Sequence, residues 1–253
     1  MTTALMNGRT PRPDFGSGEG KARRFQDPLS FRCMPQVHGA AYAEAARLDA
    51  ALAVELNSVA DNPVVLIDEE KIIGTSNFHM PHLTIVLDSM ARALALAATD
   101  AVSRIQRLMS SSFSDLPPLL SSESTDRAGF GPLMKPAEAL RAEIIHLSNP
   151  VPILPSHNAD GQEDAATFSA LAAQKLGELL DRLELLIALE LLAGAQAVDL
   201  AGLKELPAKL DPIHKALREI SRFIDDDRPL GREIERVAAE LVRTAKLFTL
   251  APL

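Results

Sequence analysis

The chain is poor in cysteine: its 253 residues contain a single one, Cys33. One cysteine cannot form a disulfide within the chain, so nothing in the sequence indicates an oxidising compartment. The first residues also lack the long apolar stretch of a secretory signal peptide. We therefore expect a cytoplasmic protein.

Basic residues are outnumbered, and long apolar runs are missing. Lys and Arg together number 26 against 34 Asp and Glu, which gives a formal net charge of −8. An acidic surface repels phosphate backbones, so nucleic acid is not an expected partner. The most apolar region, from Leu185 to Val198, is interrupted by Glu190 and is too short to span a bilayer.

Aromatic side chains are scarce, at 4% of residues with no Trp and one Tyr. The core must therefore consist of Leu, Ala, Ile and Val, as expected where many helices pack closely. Apolar residues recur at spacings of three and four, which predicts amphipathic helices. The predicted helices are Met34–Leu56, His82–Leu108, Pro132–Leu147, Glu163–Leu200, Pro207–Phe223 and Pro229–Lys246.

Two apolar runs that flank an acidic turn predict a small β-hairpin near residues 64–74. Residues 1–25, rich in Gly, Pro and charge, predict a flexible arm. We expect a mainly α protein, with a bundle of long helices in a single domain over residues 26–253. The longest predicted helix, 163–200, is apolar on nearly all sides, which places it inside the bundle and favours oligomerisation.

The segment Gln26–Arg32 brings an amide, a carboxylate and a guanidinium together. Arg32 can hold a carboxylate through two parallel hydrogen bonds, which suits an amino-acid substrate. The alternative is a structural ion pair between Arg32 and a nearby acid such as Asp27.

Two other segments are candidates for chemistry. Glu163 lies where a Pro-rich loop enters the longest predicted helix, and it either complements the helix dipole or binds an amine and transfers protons. His79 and His82 are three residues apart, but no third ligand stands nearby, so we expect no metal site. Ser76 or Asn77 is expected to cap the helix that follows.

The order and spacing of six motifs resemble the carboxy-terminal half of the histidine/phenylalanine ammonia-lyase family, from about residue 25 to about residue 245. Gln-Glu-Asp at residues 162–164 favours the histidine-type members. The motifs are QDPLSFRCMPQV (26–37), NSVADNP (57–63), SNFH (76–79), GQED (161–164), ALELLAGAQAVDL (188–200) and DDDRPLGREIERVAAELV (225–242).

This resemblance implies a mostly helical homotetramer that draws each active site from more than one subunit. Family members are much longer than this chain. They remove ammonia from an α-amino acid to give an unsaturated acid, and related members move the amino group to the β carbon. Their electrophile, the methylidene-imidazolone group (MIO), forms from an internal Ala-Ser-Gly, so no separate cofactor is needed.

The resemblance also assigns roles to individual residues. Arg32 resembles the family's carboxylate-binding arginine, and Gln26 the glutamine beside it in the active site. Phe78 resembles the aromatic residue packed close to the electrophile, and Glu163 the catalytic glutamate associated with the substrate amine or imidazole. Leu29 stands where the family has tyrosine, and leucine can neither donate a hydrogen bond nor transfer a proton. A different amino-acid substrate, an aminomutase and a degenerate site therefore all stay open.

The largest departure from the family is that no Ala-Ser-Gly occurs in the chain. Ala165 also replaces the histidine that usually follows Gln-Glu-Asp, which predicts a reshaped pocket. Because Met1 and its polar arm resemble a true amino terminus, we expect a companion chain with the amino-terminal half of the fold to supply the MIO group. The prediction is one subunit of a two-component ammonia-lyase or aminomutase, inactive alone and assembled into a tetramer-like set of such pairs. The alternatives are a non-catalytic scaffold or regulatory subunit, and a fragment.

Overall fold

A computed structural model gives the fold and describes residues 26–122, 126–203 and 205–250. The predicted arm over residues 1–25 lies outside the described residues. The helices are α1 (Leu29–Arg32), α2 (Met34–Asn57), α3 (Pro81–Leu108), α4 (Ser111–Ser114), α5 (Met134–Leu147), α6 (Ser169–Leu200), α7 (Asp211–Ile220), α8 (Gly231–Val237, continued as a π-helix over Ala238–Val242) and α9 (Lys246–Leu250). The antiparallel strand pairs are β1 (Val64–Leu66) with β2 (Lys71–Ile73), and β3 (Pro155–Asn158) with β4 (Glu163–Ala165).

The predicted mainly α fold with a small hairpin is confirmed. The prediction that a helix starts at Glu163 is wrong, because residues Glu163–Ala165 form β4 and the helix begins at Ser169. Pairing with β3 satisfies backbone groups of this segment, and Phe168 has a φ of 52°, a left-handed conformation that cannot belong to the helix.

Helices α3 and α6 run side by side in the same direction. Near their amino ends, Oγ1 of Thr84 donates a hydrogen bond to the carbonyl of Thr167, at 3.0 Å. Further along both helices, Arg104 forms an ion pair with Glu190. The two contacts fix the parallel alignment over most of the length of α3.

Helices α2 and α5 run antiparallel to α3. The chain returns from α2 to α3 through the β1–β2 hairpin, and Val151, just beyond α5, donates its N–H to Oδ2 of Asp88 near the start of α3, at 3.1 Å. The ends of α2 and α5 therefore lie beside the starts of α3 and α6. We call this part of the bundle, residues 52–85 and 145–171, the hairpin end.

The core lies where α3 and α6 pack together. Fully buried residues include Ala98 and Ile105 of α3 and Leu186 and Leu189 of α6, which confirms the central position predicted for the long apolar helix. Helix α2 differs, because Ala51 is the one buried residue among its described side chains. The helix whose surface is left largely uncovered by the rest of the chain is thus α2 and not α6.

Across the described ranges, no helix has the length and apolar character needed to cross a bilayer.

Glu233, in the first turn of α8, ties the last helices to the loop before them. Nε and Nη2 of Arg228 each donate a hydrogen bond to its carboxylate at 3.1 Å, and the Ser221 hydroxyl donates another. Partial burial raises the pKa of Glu233, but the hydrogen bonds from Arg228 and Ser221 outweigh it, so the pKa lies below the ordinary 4.5. A carboxyl with a depressed pKa contributes stability above its unfolded pKa and loses it as the pH falls through its folded pKa.

We therefore expect Glu233→Gln to lower the free energy of unfolding by about 2 kcal/mol at neutral pH. The difference from the unaltered chain should shrink as the pH falls below 4.5, because the native carboxylate then becomes protonated. Urea unfolding of the unaltered chain and of the variant across this pH range measures the difference in the free energy of unfolding. Glu235→Gln, at an exposed position, is the control. Equal stability at neutral pH would contradict the role of Glu233.

Candidate functional site

The Gln26–Arg32 segment is anchored to the bundle through two of its residues, Ser30 and Phe31. Ser30 is buried, and its carbonyl accepts a hydrogen bond from Nη1 of Arg104 at 3.1 Å. Phe31 stacks on Phe113 with ring centroids 5.4 Å apart. Arg104 is itself buried and donates from Nε and Nη2 to the two carboxylate oxygens of Glu190. An ion pair between α3 and α6 thus holds α1 in place.

The predicted ligand-binding side chains of this segment point outward. Leu29 is 59% exposed, and Arg32 and Gln26 are exposed as well. Leu29 and Arg32 are three residues apart on α1, so they share one face of the helical turn. Within the described ranges, Arg32 makes no hydrogen bond or ion pair, so the alternative of a structural pair with Asp27 is not supported. The guanidinium is therefore available to a ligand.

Phe78 is positioned by the motif at residues 57–63, which the sequence suggested only as a helix stop. The N–H of Thr75 donates to Oδ1 of Asn62 at 2.9 Å, and Nδ2 of Asn77 donates to the carbonyl of Val59 at 3.1 Å. These bonds hold the segment before α3 against the end of α2. The Phe78 ring remains 49% exposed, so its face is free to contact another molecule.

The predicted cap of the following helix is wrong. Helix α3 begins at Pro81, and no side chain caps it, because Asn77 is engaged elsewhere. Proline suits a first helical position because the backbone N–H that it lacks would have no intrahelical partner there.

The described part of the chain holds no group of three or more His, Cys, Asp and Glu that could bind a metal ion.

Glu163 lies on β4, opposite Asn158 of β3, with its side chain exposed. Two residues beyond β4, the carbonyl of Thr167 accepts the hydrogen bond from Thr84 that ties this segment to α3. The segment that carries Glu163 therefore lies beside the start of α3.

The segments that carry Phe78 and Glu163 border one cleft of about 610 Å³. His79, the residue after Phe78, and Asp164, the residue after Glu163, both line it. Its other walls come from the first turns of α3, residues 150–155 and residues 165–167, and most of them are apolar. The structure thus brings together two of the predicted site segments, along with Ala165.

The structure does not bring the Gln26–Arg32 segment to this cleft. The segment contacts α3 at Arg104, whereas the loop after β4, which lines the cleft, contacts α3 at Thr84. The helical rise places these two residues about 30 Å apart. Arg32 and Glu163 of one chain therefore cannot contact the same small molecule. The spacing of these residues along the sequence did not predict this separation.

An MIO electrophile cannot form within this chain. The group is made from the backbone of an Ala-Ser-Gly segment, and the chain contains none. The residues present therefore do not fit a role as the source of this group.

The chain is similar to ammonia-lyases and their relatives along most of its length. Residues 3–220 match the family described as aromatic amino acid lyase. The histidine ammonia-lyase of Myxococcus xanthus is 36% identical over 229 residues, which make up 89% of this chain and 44% of that protein.

Two solved structures have the same fold over the matched part. Ergothionase from Treponema denticola superposes with a TM-score of 0.83 at 30% identity, covering 91% of this chain and 46% of that one. Tyrosine aminomutase from Streptomyces globisporus gives a TM-score of 0.82 at 29% identity, covering 89% and 44%. The chain therefore spans about half the length of the relatives that it matches.

Proposed function

The chain belongs to the aromatic amino acid lyase family, and from this membership we propose that it is one subunit of a two-component amino-acid ammonia-lyase or aminomutase. In this proposal a companion chain carries the amino-terminal half of the fold and the Ala-Ser-Gly from which the electrophile forms. Pairs of the two chains assemble into a tetramer-like enzyme, and this chain is inactive alone.

The observation that carries the proposal is the separation of the predicted site residues into two exposed groups. The contacts that hold the two groups on α3, at Arg104 for the Gln26–Arg32 segment and at Thr84 for the segment after β4, are about 30 Å apart along the helix. Each group faces outward. A site that uses both groups must therefore draw them from different copies, which agrees with the shared active sites that the family resemblance implies.

Each group has a distinct task in such a site. Arg32 binds the substrate carboxylate through paired charged hydrogen bonds, with Gln26 beside it, and Leu29 offers an apolar contact to the substrate. When present, the companion's MIO group is the electrophile that allows the amino group of the substrate to leave. Phe78 packs against that group and excludes water. Glu163 binds the amine or holds a proton at its carboxylate oxygens.

A second candidate is a non-catalytic scaffold or regulatory subunit with the lyase fold, or a fragment of a longer lyase. Leu29 and Ala165 favour it, because both lack the polar group that the family has at their positions. Gln26, Arg32, Phe78 and Glu163 favour the enzyme, because a degenerate site has no need of all four.

The proposal is tested by co-expressing this chain with the product of a neighbouring reading frame that contains Ala-Ser-Gly, and purifying through a tag on this chain. We expect a stable complex whose companion has lost two water molecules by mass, with the near-ultraviolet difference absorbance of the electrophile. A homomeric chain with no such companion would contradict the enzyme and favour the scaffold or fragment.

In the assembled complex, Glu163→Gln should lower turnover by about 100-fold, because an amide can neither accept a proton nor balance the charge of an ammonium group. Assembly should be unchanged, since the Glu163 side chain is exposed. Ammonia release from a panel of amino acids measures the effect, with Glu235→Gln as a matched exposed control. Loss of solubility with unchanged turnover per folded complex would show that Glu163 is structural.

A further inference from the structure

Helix α1, which carries Leu29 and Arg32, is too short to hold its own direction. It has four residues, and a single helical turn is not stable by itself. Hydrogen bonding ties it to α3 through a backbone atom, because Nη1 of Arg104 donates to the Ser30 carbonyl and the buried Ser30 hydroxyl has no hydrogen-bond partner among the described residues. One hydrogen bond to a carbonyl fixes a position but leaves rotation about it free. A second contact must therefore set the direction in which Arg32 points.

The stack of Phe31 on Phe113 is that second contact. The ring centroids are 5.4 Å apart, and the ring planes differ by 26°. Phe31 directly precedes Arg32, so the stacked ring and the guanidinium leave neighbouring positions of the same helical turn. Phe31 also borders a mostly apolar cleft of about 350 Å³, which leaves part of its surface without contact from the described chain. Support for the ring therefore comes from Phe113.

Phe113 is itself held on a fixed turn, α4, directly after α3. Its N–H donates to the Ser110 carbonyl at 2.9 Å, and Oγ of Ser114 donates to the same carbonyl at 3.1 Å. Oγ of Ser114 in turn accepts the N–H of Leu116 at 3.2 Å. The turn ends at Asp115, whose φ of 61° is a left-handed conformation that stops the helix. These hydrogen bonds fix the backbone of Phe113, so its ring can act as a support.

We propose that Phe113 is a positioning residue for the amino-acid substrate: by holding Phe31, it sets the direction in which Arg32 meets the substrate carboxylate. This inference rests on the proposed function, in which Arg32 binds that carboxylate. Paired hydrogen bonds from a guanidinium need a defined orientation. A displacement of about 1 Å in a group that positions the substrate can cost on the order of 100-fold in rate. Phe113 belongs to none of the six motifs that carry the family resemblance, so the sequence did not predict a role for it.

Two measurements on Phe113→Ala test the inference. In the full chain alone, amide hydrogen exchange over residues 26–33 should become faster on the order of 10-fold, because α1 loses the stack. In the complex with the companion, KM for the amino acid should rise on the order of 10-fold with kcat nearly unchanged, because carboxylate binding weakens equally in the ground state and the transition state. Phe113→Tyr keeps the ring and should leave both quantities unchanged. Phe248→Ala, which removes an exposed ring on α9, is the control and should also leave both unchanged.

A double variant shows whether the effect passes through Arg32. If Phe113 acts by directing that side chain, adding Phe113→Ala to Arg32→Ala should raise KM no further. A further rise on the order of 10-fold would show that Phe113 serves the fold or another contact, and it would overturn the inference.

The outcomes separate this inference from the proposed function. Unchanged hydrogen exchange over residues 26–33 in Phe113→Ala would overturn the inference whatever the complex catalyses. Faster exchange with an unchanged KM, in an enzyme whose KM responds to Arg32→Ala, would overturn it while the two-component enzyme stands. If Arg32→Ala itself leaves KM unchanged, or if the unaltered chain binds no Ala-Ser-Gly companion, the proposed role of Arg32 fails and the positioning role fails with it.

Discussion

Arg32→Ala in the assembled enzyme should raise KM for the amino-acid substrate on the order of 100-fold and leave assembly intact. Removing one member of a charged, hydrogen-bonded pair at a binding site leaves the other charge without a partner, and this cost appears mainly in binding. Arg32 is exposed and has no hydrogen-bond or ion-pair partner within the described chain, so its removal breaks no such contact there.

Two further variants make this result specific. Arg32→Lys keeps the positive charge but loses the paired geometry, so its KM should lie between those of the alanine variant and the unaltered enzyme. Arg236→Ala removes an exposed arginine that pairs with Glu240 on α8, and it should leave KM unchanged. An unchanged KM for Arg32→Ala would show that it does not bind the substrate, and loss of the complex would show that it serves assembly.

Glu190→Ala should lower the free energy of unfolding by about 3–5 kcal/mol, because it leaves the Arg104 guanidinium buried without its counter-charge. It should also loosen α1, since Arg104 holds the Ser30 carbonyl. Denaturant unfolding measures the first effect, and faster amide hydrogen exchange over residues 26–33 measures the second.

The control for this ion pair lies on the same helix. Glu184→Ala breaks an exposed pair with Arg243, and such surface pairs contribute at most about 1 kcal/mol. The double replacement Arg104→Met with Glu190→Leu should recover most of the lost stability, because no buried charge remains. A loss from Glu190→Ala no greater than that from Glu184→Ala would contradict the structural role of the buried pair.

The elements that the sequence predicted well are those whose pattern is local. The spacing of apolar residues in α2 and α3 is a property of each helix, and the predicted bounds agree with the structure to within one residue at each end. The start of α6 was missed because β4 depends on pairing with β3, which lies across an irregular, proline-rich segment with no alternating pattern.

The sequence supplied candidate site residues, which remain predictions, but not their arrangement in space. The family resemblance pointed to Arg32, Phe78 and Glu163, yet their distribution between two ends of α3 follows from how the helices align. The structural role of Glu190 could not be predicted either, although the residue interrupts an apolar run. Its partner Arg104 is 86 residues away, and only tertiary packing brings the two together.

The central claim is that the two groups act together in sites built from different copies of the chain. It is tested most directly by mixing Arg32→Ala and Glu163→Gln chains in equal amounts with the companion, and measuring turnover of the amino acid that the unaltered complex accepts. The substrate is kept near the KM of the unaltered complex, where sites that lack Arg32 are nearly empty. If each site takes Arg32 from one copy and Glu163 from another, random assembly leaves about a quarter of the sites with both residues intact, and about a quarter of the activity should return. Activity no higher than that of either variant alone would contradict the claim.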